Sequence, residues 1–211
     1  MRIIDLTHTV SPEMPVYPGT VKPVFITDSS IEEAGFLEKK ITLCSHIGTH
    51  VDAPAHLLKD AETLDSLEID HFYGPALMVN VETSGSAPIE VSDLDFYTKE
   101  LEKVDFLLLH SGWSSFWGTD TYFSDYPVLT LEAATWLNKF RLKGIGLDTI
   151  SADTADTLDY PVHKAFLKNN TIIVENLTNL SSLSVSLFNF SCFPIKFVNG
   201  DGSPVRAVAY I

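Results

Sequence analysis

The sequence predicts a single α/β domain, rich in short strands and sparing of helices. Three observations carry this expectation. The chain has 211 residues, 45% hydrophobic and 20% charged, which is enough apolar material for one sizeable core. Compact apolar runs bounded by polar or turn residues recur at 105–109, 144–147 and 171–174 and suit buried strands. Clear helical spacing of apolar residues is confined to 91–101 and 130–140. No internal repeat or low-complexity linker divides the chain, so residues 1–211 are expected to form one domain.

The elements follow in order. Residues 2–9 open with a short strand carrying Ile3, Ile4 and Leu6. Residues 11–19 form a loop stiffened by Pro12, Pro15 and Pro18, suited to the wall of a pocket. Tyr17 in this loop is either a substrate-binding face or a packed surface aromatic. Strands at 24–26 and 38–43 flank a turn around Glu32–Gly35, and the second strand runs directly into a segment dense in histidine. Ligands at a strand end would be held by the sheet yet stay accessible. Beyond a loop at 57–67, residues 76–81 read as a strand and 91–101 as a helix capped by Ser92. The strand at 105–109 ends in His110 and an aromatic loop, where Trp113 and Trp117 either line a pocket or fill the core. Thr130 caps a helix that runs to Phe140. After the strand at 144–147, Asp148 is either a turn carboxylate or orients a ligand. His163 opens a short helix, and the strand at 171–174 leads into Glu175. Such a helix-to-strand return can bring His163 and Glu175 to the same end of the fold. Residues 177–193 read as strand and packed loop, Asn199–Gly202 as a turn, and 203–211 as a closing strand.

The chemistry concentrates in Cys44–His56. His46, His50, Asp52 and His56 share one parity, so an extended chain would point them to one face. A helix is the competing geometry, because His46 and His50 are four apart. Gly48, Thr49 and Pro54 argue against it, and position 47 is Ile where a helical zinc-protease motif needs Glu. Four extended residues span roughly 13 Å, so His46 and His50 share an ion only if the chain bends. Gly48 and Pro54 supply the bends. His50 and Asp52 would lie about 6–7 Å apart even when extended. Imidazole with carboxylate suits Zn²⁺, Mn²⁺ or Fe²⁺, and so few protein ligands leave positions open for water. Cys44, beside the cluster, is read as a small packing residue, and His8 and His71 as structural.

The net charge of −14 disfavours a sequence-independent grip on nucleic-acid phosphates. Two cysteines, Cys44 and Cys192, do not indicate a disulfide scaffold. The opening residues lack a signal-peptide core, and no run approaches eighteen apolar residues. No membrane association is expected, and the cytoplasm is the default location.

The string at His46, Gly48, Thr49, His50, Asp52, Pro54 and His56 resembles the H-x-G-T-H-x-D-x-P-x-H signature of the cyclase-like metal-dependent hydrolases, which include bacterial kynurenine formamidase. The likeness runs from Asp5 to Ile211: aromatic-Pro-Gly at Tyr17–Gly19, Ser-Gly-Trp at 111–113, Gly-x-Asp-x-x-Ser at 146–151, His163, Glu-Asn-Leu at 175–177 and Ser-Pro-Val-Arg-Ala at 203–207. It departs at Thr20, where the family usually carries Asp, and at His110, where a basic residue often precedes the Gly-Trp segment. The resemblance implies a swivelling β/β/α domain with a mixed central sheet and few helices. It implies Asp52 bridging two divalent ions, Zn²⁺ first and Mn²⁺ as alternative, with His46 and His50 on one and His163 and Glu175 on the other. His56 would be the general acid/base, and Tyr17, His110 and Trp113 would contact substrate. The expected reaction is hydrolysis of a small-molecule amide by a metal-activated water. An aryl formamide such as N-formylkynurenine is the first candidate, and a cyclic amide such as isatin the second. A non-catalytic metal-binding protein is the rival class, though a closed structural site has no need of His56. A homodimer is implied by the family alone.

Overall fold

The computed structural model describes residues 1–81 and 86–211. Eleven strands form: β1 (Ile3–Asp5), β2 (Val24–Ser29), β3 (Glu38–Thr42), β4 (His50–Asp52), β5 (Tyr73–Asn80), β6 (Phe106–His110), β7 (Gly144–Leu147), β8 (Ile172–Glu175), β9 (Leu187–Ser191), β10 (Gly202–Pro204) and β11 (Val208–Tyr210). The α-helices are short: α1 (Ile31–Ala34), α2 (Val91–Leu94), α3 (Thr98–Leu101), α4 (Leu131–Leu137) and α5 (Pro161–Leu167). Among the described residues no helix is long and apolar enough to cross a membrane.

Nine strands make one mixed sheet in the order β1-β11-β9-β5-β6-β7-β8-β4-β10. The centre, β5 to β8, is parallel and the flanks are antiparallel. Alternation divides the side chains between two cores. Leu77, Val79, Leu107, Leu109, Ile145 and Ile173 pack on one face under α4 and α5, where Ala133, Leu137 and Phe166 meet them. Ala76, Phe106, Leu108, Ile172, Val174, Val51, Phe190, Ala209 and Ile4 pack together on the other. Strands from both flanks share this second core, so the sheet curls around it. Thr7 bridges to Leu177 across the gap. Strands buried on both faces explain why 106–109 reads as an unbroken apolar run.

The strand-rich α/β expectation holds, with four differences. Residues 91–101 are not one helix. They break into α2, a 3₁₀ turn at 95–97 and α3, and a capping box of Glu90 with Asp93 opens the segment rather than Ser92. The closing segment is two strands, because Gly202–Pro204 pairs with β4 whereas Val208–Tyr210 pairs with β9 and β1. The strand at 38–42 does not carry the ligands in the main sheet. It pairs only with β2, in a separate hairpin whose tip is α1, capped by Ser30 and closed by Gly35 at φ 79°. His50 and Asp52 instead lie on their own strand, β4.

Candidate active site

β4 sits between β8 and β10, with His50 opposite Glu175. Val51 and Val174 point into the curled core, so His50, Asp52 and Glu175 face the other way, toward the helices. α5 lies on that side and contributes buried His163. The chain reaches β4 through Gly48 at φ 60°, a left-handed conformation that favours glycine, and leaves it through a 3₁₀ turn at Pro54–His56. The two bends bring His46 and His56 back over Asp52.

The resulting cluster is tight. His46 Nδ1 lies 2.7 Å and His50 Nε2 3.3 Å from Asp52 Oδ1. His163 Nε2 lies 3.6 Å from Asp52 Oδ2 and 3.1 Å from Glu175 Oε1. His50 Nε2 is 3.5 Å from Glu175 Oε2. The two Asp52 oxygens thus face different imidazoles, His46 and His50 on one side and His163 on the other. The His56 ring lies 3.8 Å from that of His46 and 6.3 Å from that of His163, centre to centre.

Burial opposes charge on these rings, but the carboxylates prevail. Asp52 and Asp201 hold His46 up at about 9, and Asp52 with Glu175 raises His50. The Asp153, Asp52 and Glu175 carboxylates beside its ring nitrogens keep His163 well above the ordinary histidine range. Against its own burial, the rings of His50, His163 and His46 hold Asp52 well below the usual carboxylate range. Burial pushes His56 the opposite way, down to about 4, so its ring is neutral at pH 7 and free to accept a proton.

Five N/O side chains therefore converge, and they fit a divalent cation. Asp52 Oδ2 is buried without a hydrogen-bond partner. His50 Nδ1 donates to Gly48 O at 2.8 Å and His163 Nδ1 to Asp153 Oδ2 at 2.6 Å, which turns each Nε2 atom inward. Held outer nitrogens of this kind are the usual partners of metal-ligating histidines. His46, Asp52 and His56 form one group of close donor atoms and His50, Asp52 and Glu175 a second.

The cluster floors a cavity of about 510 Å³. Val16, Tyr17 and Val21 wall it from the proline-rich loop and its continuation, Ile47 and Leu57 from beside the cluster, and Ile150 from beyond β7. Thr20 and Cys44 also line it. Tyr17 is thus brought to the site, but His110 and Trp113 are not among the lining residues. Trp113 is buried in an aromatic cluster with Tyr122 and Tyr126, its indole N–H donating to Tyr122 O at 3.1 Å. His110 is buried at the end of β6. Asp148 accepts from the Ser111 and Gly112 amides at 3.0 and 2.9 Å and ties down the loop that follows β6. Asp148 is therefore a loop anchor.

Sequence reasoning missed Asp153, Tyr160, Asn176 in its supporting role, and Asp201. Asp153 also accepts from the Val162 and His163 amides, at 2.9 and 3.0 Å, and so seats the start of α5. Tyr160 lines the cavity edge-on to His163. Asn176 donates to Gly48 O at 2.9 Å and accepts from Tyr122 Oη at 2.7 Å. Asn176 and Asp201 are remote in sequence from their partners, and no local pattern marks Asp153 or Tyr160; only the Glu-Asn-Leu string pointed at Asn176.

Comparison with known proteins agrees with this frame. A family model, "Putative cyclase", matches residues 4–154. The kynurenine formamidase of Erythrobacter litoralis is 31% identical over 208 residues, covering 98% of this chain and 93% of the relative. That of Geobacillus thermodenitrificans is 29% identical over 206 residues, covering 97% and 95%. The structure of isatin hydrolase A from Labrenzia aggregata superposes with a TM-score of 0.90 at 25% identity, covering 99% of this chain and 93% of that one. With most of its length matched by the family model and the relatives alike, the chain belongs to the cyclase family.

Proposed function

We propose that this chain is a metal-dependent hydrolase that cleaves an aryl formamide, with N-formylkynurenine as the first candidate and tryptophan catabolism as its setting. The observation that carries the reading is the convergence of His46, His50, Asp52, His163 and Glu175, with neutral His56 beside them, at the floor of a largely apolar cavity. His46, His50 and Asp52 Oδ1 would hold one ion, and Asp52 Oδ2, His163 and Glu175 a second. Zn²⁺ is the first choice and Mn²⁺ the alternative. A bound divalent ion supplies an acidified water and an electrophile for the carbonyl oxygen. His56 takes the proton from the attacking water and delivers it to the departing amine nitrogen. Tyr17, Val16 and Ile150 seat the aryl group, and the apolar walls exclude bulk water. The likeness to kynurenine formamidases supports this substrate class. The superposition on an isatin hydrolase favours a second reading, a cyclic amide opened by the same chemistry.

The test is turnover of N-formylkynurenine by apoprotein reloaded separately with Zn²⁺ and Mn²⁺. Turnover is expected only with metal. His56→Ala should bind the same amount of metal yet lose about 10²–10⁴ in kcat. Turnover without metal, or His56→Ala with wild-type kcat, defeats the reading. Metal-dependent opening of isatin with formamides untouched selects the second reading.

The protein is further proposed to act in the cytoplasm as a homodimer. The β2–β3 hairpin supports the dimer. It stands apart from the main sheet and exposes Val24, Ile26, Ile31, Phe36, Leu37 and Ile41.

A further inference from the structure

The turn Asn199–Gly202 looks in the sequence like a simple reversal of the chain, yet it packs against His46. His46 precedes β4 and has no strand partner to hold it. Its Nε2 lies 3.1 Å from Asp201 Oδ2, across 155 residues of sequence. Ser45 Oγ donates to the same Asp201 oxygen at 3.3 Å. Gly202, on β10 opposite Asp52, presents bare backbone to the ring. A Cβ there would stand 2.4 Å from His46 Cε1 and 2.6 Å from Nε2. Any side chain at 202 would therefore push the ring out of its place.

We propose that Asp201 and Gly202 are positioning residues for His46: the carboxylate accepts the Nε2 proton and so leaves Nδ1, on the Asp52 side, as the atom that would hold a cation, and the glycine leaves room for the ring. This inference rests on the divalent-cation reading of the site. It completes a regular arrangement, since His50 has Gly48 O and His163 has Asp153 as outer acceptors. Asp201 performs for His46 what those groups perform for the other two rings. The backbone of the turn is tied down without the carboxylate. Ala53 N donates to Asp201 O at 2.9 Å, Leu64 N to Gly200 O at 2.8 Å and Gly200 N to Asp65 Oδ1 at 3.3 Å. The Asp201 side chain is 46% exposed. Its removal should therefore leave the fold standing and act on His46.

The test measures zinc affinity of the full chain by chelator competition, together with thermal unfolding of the metal-free protein. Asp201→Ala is expected to weaken one zinc-binding step about 10–100-fold. Asp201→Asn, whose amide oxygen still accepts the Nε2 proton, should fall between Ala and wild type. Both should unfold within a few degrees of wild type, because the His46–Asp201 contact they lose is half-exposed and such pairs contribute little to stability. Gly202→Ala should weaken zinc binding at least as much as Asp201→Ala. Zinc affinity within twofold of wild type in both Asp201 variants overturns the proposal. A large drop in unfolding temperature for both also overturns it, by making the contact structural. Wild-type protein that binds no Zn²⁺ or Mn²⁺ defeats the cation reading itself and this inference with it, an outcome distinct from the first two.

Discussion

His8 shows how a histidine whose backbone amide meets Thr49 beside the cluster stays outside its chemistry. Its ring stacks on Trp117 with centres 3.9 Å apart and planes within 8°. Its Nε2 is buried without a partner, and burial pushes its pKa from 6.5 down to about 4. The unfolded chain binds a proton below about pH 6.5, whereas the folded chain resists until about pH 4. Between those values the unfolded state binds more protons, so stability rises with pH and is lost as pH falls from 6.5 toward 4. The contribution is on the order of 1–3 kcal/mol after allowance for partial exposure. His8→Phe keeps the stack and should flatten this part of the stability–pH curve. Urea unfolding of both proteins at pH 7 and pH 4.5 checks it, and parallel curves would assign the acid sensitivity elsewhere. His56 is also displaced downward by burial, but it lines the cavity, and in the proposed reaction its neutral ring would take the proton.

β7 explains why the sheet can curl over a filled core. Its sequence is Gly144-Ile145-Gly146-Leu147, and the two glycines face the inner side while Ile145 and Leu147 pack under the helices. A Cβ on Gly146 would stand 2.3 Å from Leu108 Cδ2 and 2.7 Å from Leu177 Cδ1. Those leucines are fully buried and have nowhere to move. Gly146→Ala is therefore expected to cost about 1–3 kcal/mol by overpacking, seen as a lower urea midpoint with an unchanged slope. A midpoint equal to wild type would mean that the core yields more readily than its packing implies. Strands such as β6 and β8 were legible in the sequence because burial on both faces leaves a continuous apolar run. The 91–101 segment was misread because its apolar spacing is helical while the cap sits at Glu90 and a 3₁₀ turn interrupts the middle. β4 was not legible as a strand, since three residues with two polar side chains carry no apolar pattern.

The β2–β3 hairpin is the part of the molecule that the rest does not cover. A lone two-stranded hairpin is marginal in water, and this one exposes apolar side chains on its strands and at its tip. A second copy of the chain is the proposed cover. Ile26→Asp with Ile41→Asp should convert a dimer to a monomer in light scattering while far-UV dichroism stays unchanged. A wild-type monomer, or a double variant that remains dimeric, would remove the hairpin from that role. The same hairpin leads into Cys44 and His46 at the cavity, so monomerisation is also expected to reduce turnover.

The sequence by itself indicated the family and the donor groups proposed as ligands, because the H-x-G-T-H-x-D-x-P-x-H string packs its donors and bends into eleven residues. It also indicated the strand-rich character of the fold, since buried strands write their burial into local composition. Only the tertiary structure decided the rest. It left His110 and Trp113 out of the cavity lining, and set Asp153 behind His163 and Asp201 behind His46. Those contacts join residues up to 155 positions apart. Each is a hydrogen bond between one polar group and another, which leaves no periodic trace along the chain and exists only once the sheet has curled.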